Sequence, residues 1–241
     1  MCAKRIIWSL LIAYCSASCS EKDDYSYKNE NTTFSLPKLP YSYNALEPVL
    51  WTQVIYYHHK KEHKNIINEL NDYIKNNQDF AGQTVTDLLI NYGLQDDGIA
   101  NYAGGHYNHC LLWWIYTLAD CTKEEPEGKL LTKIEEKWGN FTDFVGEFTK
   151  TANSVFGSGW VWLCADSEGN LEIKAKKNEY SPLAGGECYP ILGIDLWEHA
   201  YYLKFLWERK EYVSMWWTIV DWELIEYWYE TYAANGLPVP V

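Results

Sequence analysis

At Gly157-Ser158-Gly159 the hydrophobic rhythm of this chain changes, and that change limits the fold more than any other feature of the 241 residues. Upstream, apolar residues recur at helical spacing. Trp51, Val54, Ile55, Ile66, Ile67, Leu70 and Ile74 mark one long segment, and the pattern resumes at Leu88, Leu89 and Ile90 before breaking at Gly93. A strongly aromatic segment covers about 100–118, and another helical one covers 130–156. Downstream, 160–165 and 171–175 run apolar or alternate, with Asp166-Ser167-Glu168-Gly169-Asn170 between them as a hairpin turn. Residues 189–195 form a third strand candidate, and two helices follow at about 197–208 and 212–231. An all-helical half followed by helices around a small antiparallel sheet is α+β.

Composition sets limits on function. Hydrophobic residues at 47% and charged residues at 22% exclude wholesale disorder. With 13 Trp and 20 Tyr, the chain must build an aromatic core or interface. A net charge of −13 without a basic block excludes nucleic acid as a partner. There is no Gly-rich phosphate loop, nucleophile elbow, EF-hand loop or HExxH run. Cys110, Cys121, Cys164 and Cys188 lack CxxC spacing, so they read as buried apolar thiols, with one disulfide as the rival reading.

Residues 1–18 read as an export signal: Lys4 and Arg5, an apolar stretch at 6–14 interrupted by Ser9, then Ser16-Ala17-Ser18. That stretch spans about 13 Å as a helix, short of the ~30 Å bilayer core. Cys19 behind small residues resembles a bacterial lipoprotein cleavage site, and 19–33 is a polar tether that begins with Ser20-Glu21-Lys22-Asp23-Asp24. The expected location is periplasmic or at the cell surface as a lipoprotein; simple secretion with a tolerated cysteine is the alternative. Membrane contact would come only through a lipid on Cys19.

Six histidines occur, five of them in two tight groups: His58, His59 and His63, then His106 and His109. His199 follows Asp195 by four residues, at a strand-to-helix corner where both can point at one ion. Three imidazoles and a carboxylate suit manganese or iron, and zinc less distinctively. The Gly104-Gly105 pair costs a helix about 1 kcal/mol per glycine against alanine, which suggests close approach of another backbone.

Four ordered motifs carry a resemblance: Leu36-Pro37-Lys38-Leu39-Pro40-Tyr41, Gly104-Gly105-His106-Tyr107-Asn108-His109, Phe156-Gly157-Ser158-Gly159-Trp160-Val161-Trp162-Leu163, and Asp195-Leu196-Trp197-Glu198-His199-Ala200-Tyr201-Tyr202. The chain resembles the iron/manganese superoxide dismutase family from about Phe34 to Tyr232. The resemblance implies an N-terminal helical hairpin domain at 34–123 and, at 124–241, an α+β domain with a three-stranded antiparallel sheet. It also implies one Mn or Fe ion per subunit, held by His58, His109, Asp195 and His199. Glu198 and Tyr202 would face the partner of a homodimer, and Trp113, Trp160, Trp162 and Trp197 would wall the site. The implied activity is conversion of superoxide to oxygen and hydrogen peroxide, with Lys61 and Arg209 steering the anion against the chain's negative charge.

Three positions depart from the family pattern. Ile66 stands for the gateway tyrosine, Glu62 for a histidine linked to the partner's counterpart of Tyr202, and Glu179 for the glutamine of the manganese branch. The glutamine of the iron branch would fall at Gly105. Ile66 cannot relay a proton, and Glu179 would alter the electrostatics at the ion. The expectation is metal binding with retuned or reduced dismutation; the alternative is a metal-binding structural or interaction domain with little redox turnover.

Overall fold

The computed structural model describes residues 33–118 and 121–241. The export signal, Cys19 and nearly all of the tether lie outside the described residues. No helix among the described residues is long and apolar enough to cross a membrane.

Helix α1 (Thr52–Tyr57) runs without a break through a π-helical segment (His58–His63) into α2 (Lys64–Asn76). The wider π turn shifts the residue phase, and such turns often mark functional sites. Here His58, His59 and His63 are all buried along it. Ile67, Leu70 and Ile74 then continue one buried stripe. Helix α3 (Val85–Tyr92) starts at a reciprocal capping box between Thr84 and Asp87. A second π segment (Ile99–Ala103) leads into α4 (Gly104–Ile115), which is buried almost all round.

The 130–156 segment is two helices, α5 (Gly128–Trp138) and α6 (Phe141–Ser154). Gly139 takes a positive φ of 90°, and the Asn140 side chain accepts from Asp143 N at 2.8 Å. A left-handed stop followed at once by an N-cap ends one helix and starts the next.

Strands β1 (Gly159–Ala165), β2 (Leu171–Lys177) and β3 (Tyr189–Asp195) form one antiparallel sheet in the order β2-β1-β3. The hairpin turn closes with Asp166 N–H donating to Asn170 O at 3.0 Å, and Gly169 sits at φ 82°. β1 is buried along its whole length. Its pairing with β3 slips at Leu163/Cys164, and Cys164 is joined to Cys188 by a disulfide. Cys164, Cys188 and also Cys121 are therefore disulfide-bonded and not free thiols, whereas Cys110 is free and buried. Spacing carries no signal for the Cys164–Cys188 pair because 24 residues separate them and only the sheet brings them together.

After β3 come α7 (Glu198–Phe205), α8 (Arg209–Trp216) and α9 (Trp222–Thr231). The helix expected at 212–231 is broken because Val220 bridges to Tyr116 and Asp221 N–H donates to Ile115 O at 2.8 Å. That break ties the two halves together. Trp113, Trp160, Trp162, Trp216, Trp222 and Trp228 are fully buried, and the partly buried Trp114, Trp138, Trp197 and Trp217 pack against the same core.

Candidate metal centre

The π segment, α4, the end of β3 and the start of α7 meet at one point. His58 comes from the first, His109 from the second, Asp195 from the third and His199 from the fourth. One ligand atom from each of the four lies within 4.8 Å of all the others. Asp195 Oδ2 is 3.1 Å from His58 Nε2, 3.1 Å from His199 Nε2 and 3.8 Å from His109 Nε2.

The remaining atoms of these side chains are held by the fold. His109 Nδ1–H donates to Gly105 O at 2.7 Å, so the lone pair of its neutral ring is on Nε2. Asp195 Oδ1 accepts from Trp197 N–H at 2.8 Å, leaving Oδ2 for the centre. His58 Nε2 and His109 Nε2 are buried without a hydrogen-bond partner. Buried acceptors are seldom left unmatched, and two aimed at one carboxylate oxygen fit a divalent or trivalent ion.

The electrostatics agree with that fit. Burial lowers the His58 pKa to about 4, with Asp195 opposing, and burial holds His109 well below the usual imidazole value. Both rings therefore offer lone pairs at neutral pH. Burial alone would raise Asp195, but His199 and His58 outweigh it and hold the carboxylate low. For His199 burial pulls down, and Asp195 outweighs it and raises the imidazole. His199 is the one partly exposed member, at 18% of its side chain.

Aromatic faces close the other sides. Trp113 lies edge-to-face on His58 at 4.8 Å, Trp160 on His109 at 5.1 Å, and Trp197 stacks on His199 at 5.6 Å. Trp162 stacks behind Trp160 at 5.4 Å. Glu179 is buried beside them, with its Oε2 accepting from Trp160 Nε1–H at 2.9 Å and lying 4.0 Å from His109 Nδ1. Burial, with Asp195 nearby, pushes its pKa up to about 8. Gly104 and Gly105 make room for this residue: a methyl group on Gly104 would collide with Glu179 O, and one on Gly105 would sit 3.0 Å from Ile66 Cγ2 and 3.2 Å from Glu179 Cγ. The close approach expected from the paired glycines is therefore to the Glu179 segment.

Other expected site residues sit further out. Lys61, Glu62 and Glu198 are exposed, and Ile66 is half-buried. Tyr202 is 44% exposed. The Arg209 guanidinium binds Val155 O and Gly157 O, which anchors the chain leading into β1. Asn108 belongs to the Gly104–His109 motif but has no role assigned from the sequence. It is buried, and its Nδ2–H donates to Glu179 O at 2.9 Å. An amide side chain within the strongly aromatic run of 100–118 is the signal in the sequence.

Comparison with known proteins bears on this arrangement. The alpha-hairpin domain of iron/manganese superoxide dismutases matches residues 33–117, and the C-terminal domain of the same enzymes matches 126–227. A superoxide dismutase [Mn] of Listeria innocua is 40% identical over 195 residues, covering 79% of this chain and 95% of the relative. The chain belongs to the iron/manganese superoxide dismutase family. A superoxide dismutase [Mn] of Listeria monocytogenes is 38% identical over the same shares. Superoxide dismutase [Mn] 1 of Leptolyngbya boryana is 38% identical over 79% of this chain and 78% of its own length. In both halves the matched span takes in the residues of the four-donor cluster, and the helical N-terminal part and the three-stranded sheet are those of the family.

Proposed function

We propose that this protein disproportionates superoxide into oxygen and hydrogen peroxide at a single manganese or iron ion held by His58, His109, Asp195 and His199. The observation that carries the reading is the convergence of four buried donors, two of them with unmatched lone pairs, in a chain of this family. When bound, the ion supplies one-electron redox chemistry in both directions. The residues around it do the rest. Gly105 O and Trp197 N–H fix which atoms of His109 and Asp195 face inward. The indoles of Trp113, Trp160 and Trp197 exclude bulk water, which strengthens every charge interaction inside.

Glu179 and Ile66 set the terms of turnover. In the ion-free site burial pushes the Glu179 carboxyl up to about 8, and in its neutral form Oε2 accepts from Trp160 while Oε1 carries the proton as a donor. Glu179 can therefore act as a glutamine would, until rising pH removes the proton. Ile66 offers no proton, so peroxide protonation depends on water. These two residues are the specific reason to keep a second reading, a metal-holding domain with slow turnover. Superoxide decay with metal-loaded wild type, Ile66→Tyr and Glu179→Gln separates the two. Fast decay by wild type supports the enzyme; a parent that binds metal but stays inactive until substituted supports the second reading.

The working unit is a homodimer. Tyr202 and Leu203 on α7 are about half exposed and Trp207 just beyond it is 74% exposed, an apolar set that suits a second copy of the chain. Glu198 in the first turn of α7 is exposed and placed to reach across. Lys61 and Arg209 supply positive charge for the incoming anion. The protein is exported, and the Cys164–Cys188 bridge supports an oxidising compartment. Cys19 carries the lipid in this reading. Intact mass of the mature N-terminus tests it: an unmodified chain beginning elsewhere than Cys19 removes the anchor.

A further inference from the structure

A second group of ligand-type atoms lies beside the metal centre. His63, His106 and Cys110 are buried, with one such atom from each within 4.8 Å of the others. The hydrogen bonds decide what this group can do. The indole N–H of Trp113 can only donate, and it reaches His63 Nδ1 at 3.0 Å. A neutral imidazole that accepts at Nδ1 carries its proton on Nε2. His63 Nε2–H therefore donates to His106 Nδ1, 2.9 Å away. His106 must then carry its own proton on Nε2. Cys110 Sγ lies 3.6 Å from the same Nδ1, where its S–H adds a weak second donor. The nitrogen lone pairs that an ion at this cluster would need are already engaged, in a chain that runs one way from Trp113 through His63 to His106.

The chain touches the centre at two rings. Trp113 is edge-to-face on His58 with interplanar angle 69°, and His63 is stacked on His109 at 5.1 Å and 18°. Rotating the indole would lose its acceptor, and rotating the His63 ring would lose a partner on each nitrogen. We propose that the Trp113–His63–His106 chain is a positioning device that holds the rings of His58 and His109 in place, and that the cluster with Cys110 takes no ion of its own. The positioning role rests on the reading of His58 and His109 as ligands.

The test uses full-length, manganese-loaded protein. His106→Leu removes the acceptor at the end of the chain, whereas His106→Gln keeps an acceptor oxygen there. The leucine variant is expected to release manganese to EDTA about 10-fold faster, the lower end for loss of an outer hydrogen-bond partner. It also shifts the visible absorption band of the oxidised protein, and the glutamine variant restores both. Cys110→Ser changes neither. A leucine variant with wild-type release and an unshifted band overturns the proposal, as does a second equivalent of zinc or copper(I) that wild type binds and Cys110→Ser loses. Should the leucine variant not fold, long-range 1H–15N NMR of zinc-loaded wild type decides: His63 protonated at Nε2 supports the chain, and protonation at Nδ1 overturns it. A wild type that holds neither manganese nor iron would instead sink the metal-centre reading.

Discussion

On helix α4, His106 and His109 stand three residues apart, yet one ends against His63 and the other against Asp195. The π segment repeats the contrast. His58 points its Nε2 at Asp195, while its neighbour His59 donates from Nε2 to Pro37 O at 2.8 Å and accepts at Nδ1 from the Tyr43 hydroxyl at 2.9 Å. One set of histidines has lone pairs left over and facing a carboxylate. The other set, His59, His63 and His106, has its facing nitrogens matched by protein partners. Both sets are buried, so burial does not distinguish a ligand from a structural histidine; the fate of each ring nitrogen does.

The largest effect should come from Asp195→Ala. It removes the atom on which the first set converges, and metal content per subunit is expected to fall near zero, beyond the ~10–100-fold cost of losing an outer partner. Elemental analysis by mass spectrometry reads this, and one retained ion would break the comparison.

Acid should act next, through the second set. Burial lowers the His106 pKa from 6.5 to about 4. The unfolded chain then binds more protons than the native one between those values, so stability is complete above about pH 6.5 and falls as pH drops towards 4. At about 1.4 kcal/mol per pH unit, the loss reaches roughly 3 kcal/mol from this group alone. Thermal melts against pH should show it, with a shallower slope in His106→Gln.

A third effect tests the seat that both sets share. Gly104→Ala drives a methyl into Glu179 O at the start of the helix that carries His106 and His109. Overpacking of this kind costs about 1–3 kcal/mol and should lower Tm. An unchanged Tm would mean the Glu179 segment is free to move. The smallest effect is expected from His59→Gln, which disturbs the link from Tyr43 to Pro37 for about 1 kcal/mol and leaves the metal content at wild-type level. Loss of metal there would blur the line between the sets.

Part of this was legible along the chain. The change of period at Gly157 gave the α+β class, and Asp195 with His199 four residues on marked the corner of the centre. The helix breaks at Gly139 and Val220 were not legible from period, because apolar spacing continues across both. The first is made by a left-handed glycine and a capping asparagine, local signals that a periodicity count passes over. The second is made by a pairing with Tyr116, more than a hundred residues away.

The sequence by itself determined which residue types were available to hold an ion, and on which elements they ride, because helix and strand periods follow from spacing alone. Only the tertiary structure decided which of six chemically identical side chains keep a lone pair for it. A neutral imidazole has one acceptor nitrogen, and whether a distant carbonyl, hydroxyl or indole reaches that ring is set by packing between elements far apart in the chain.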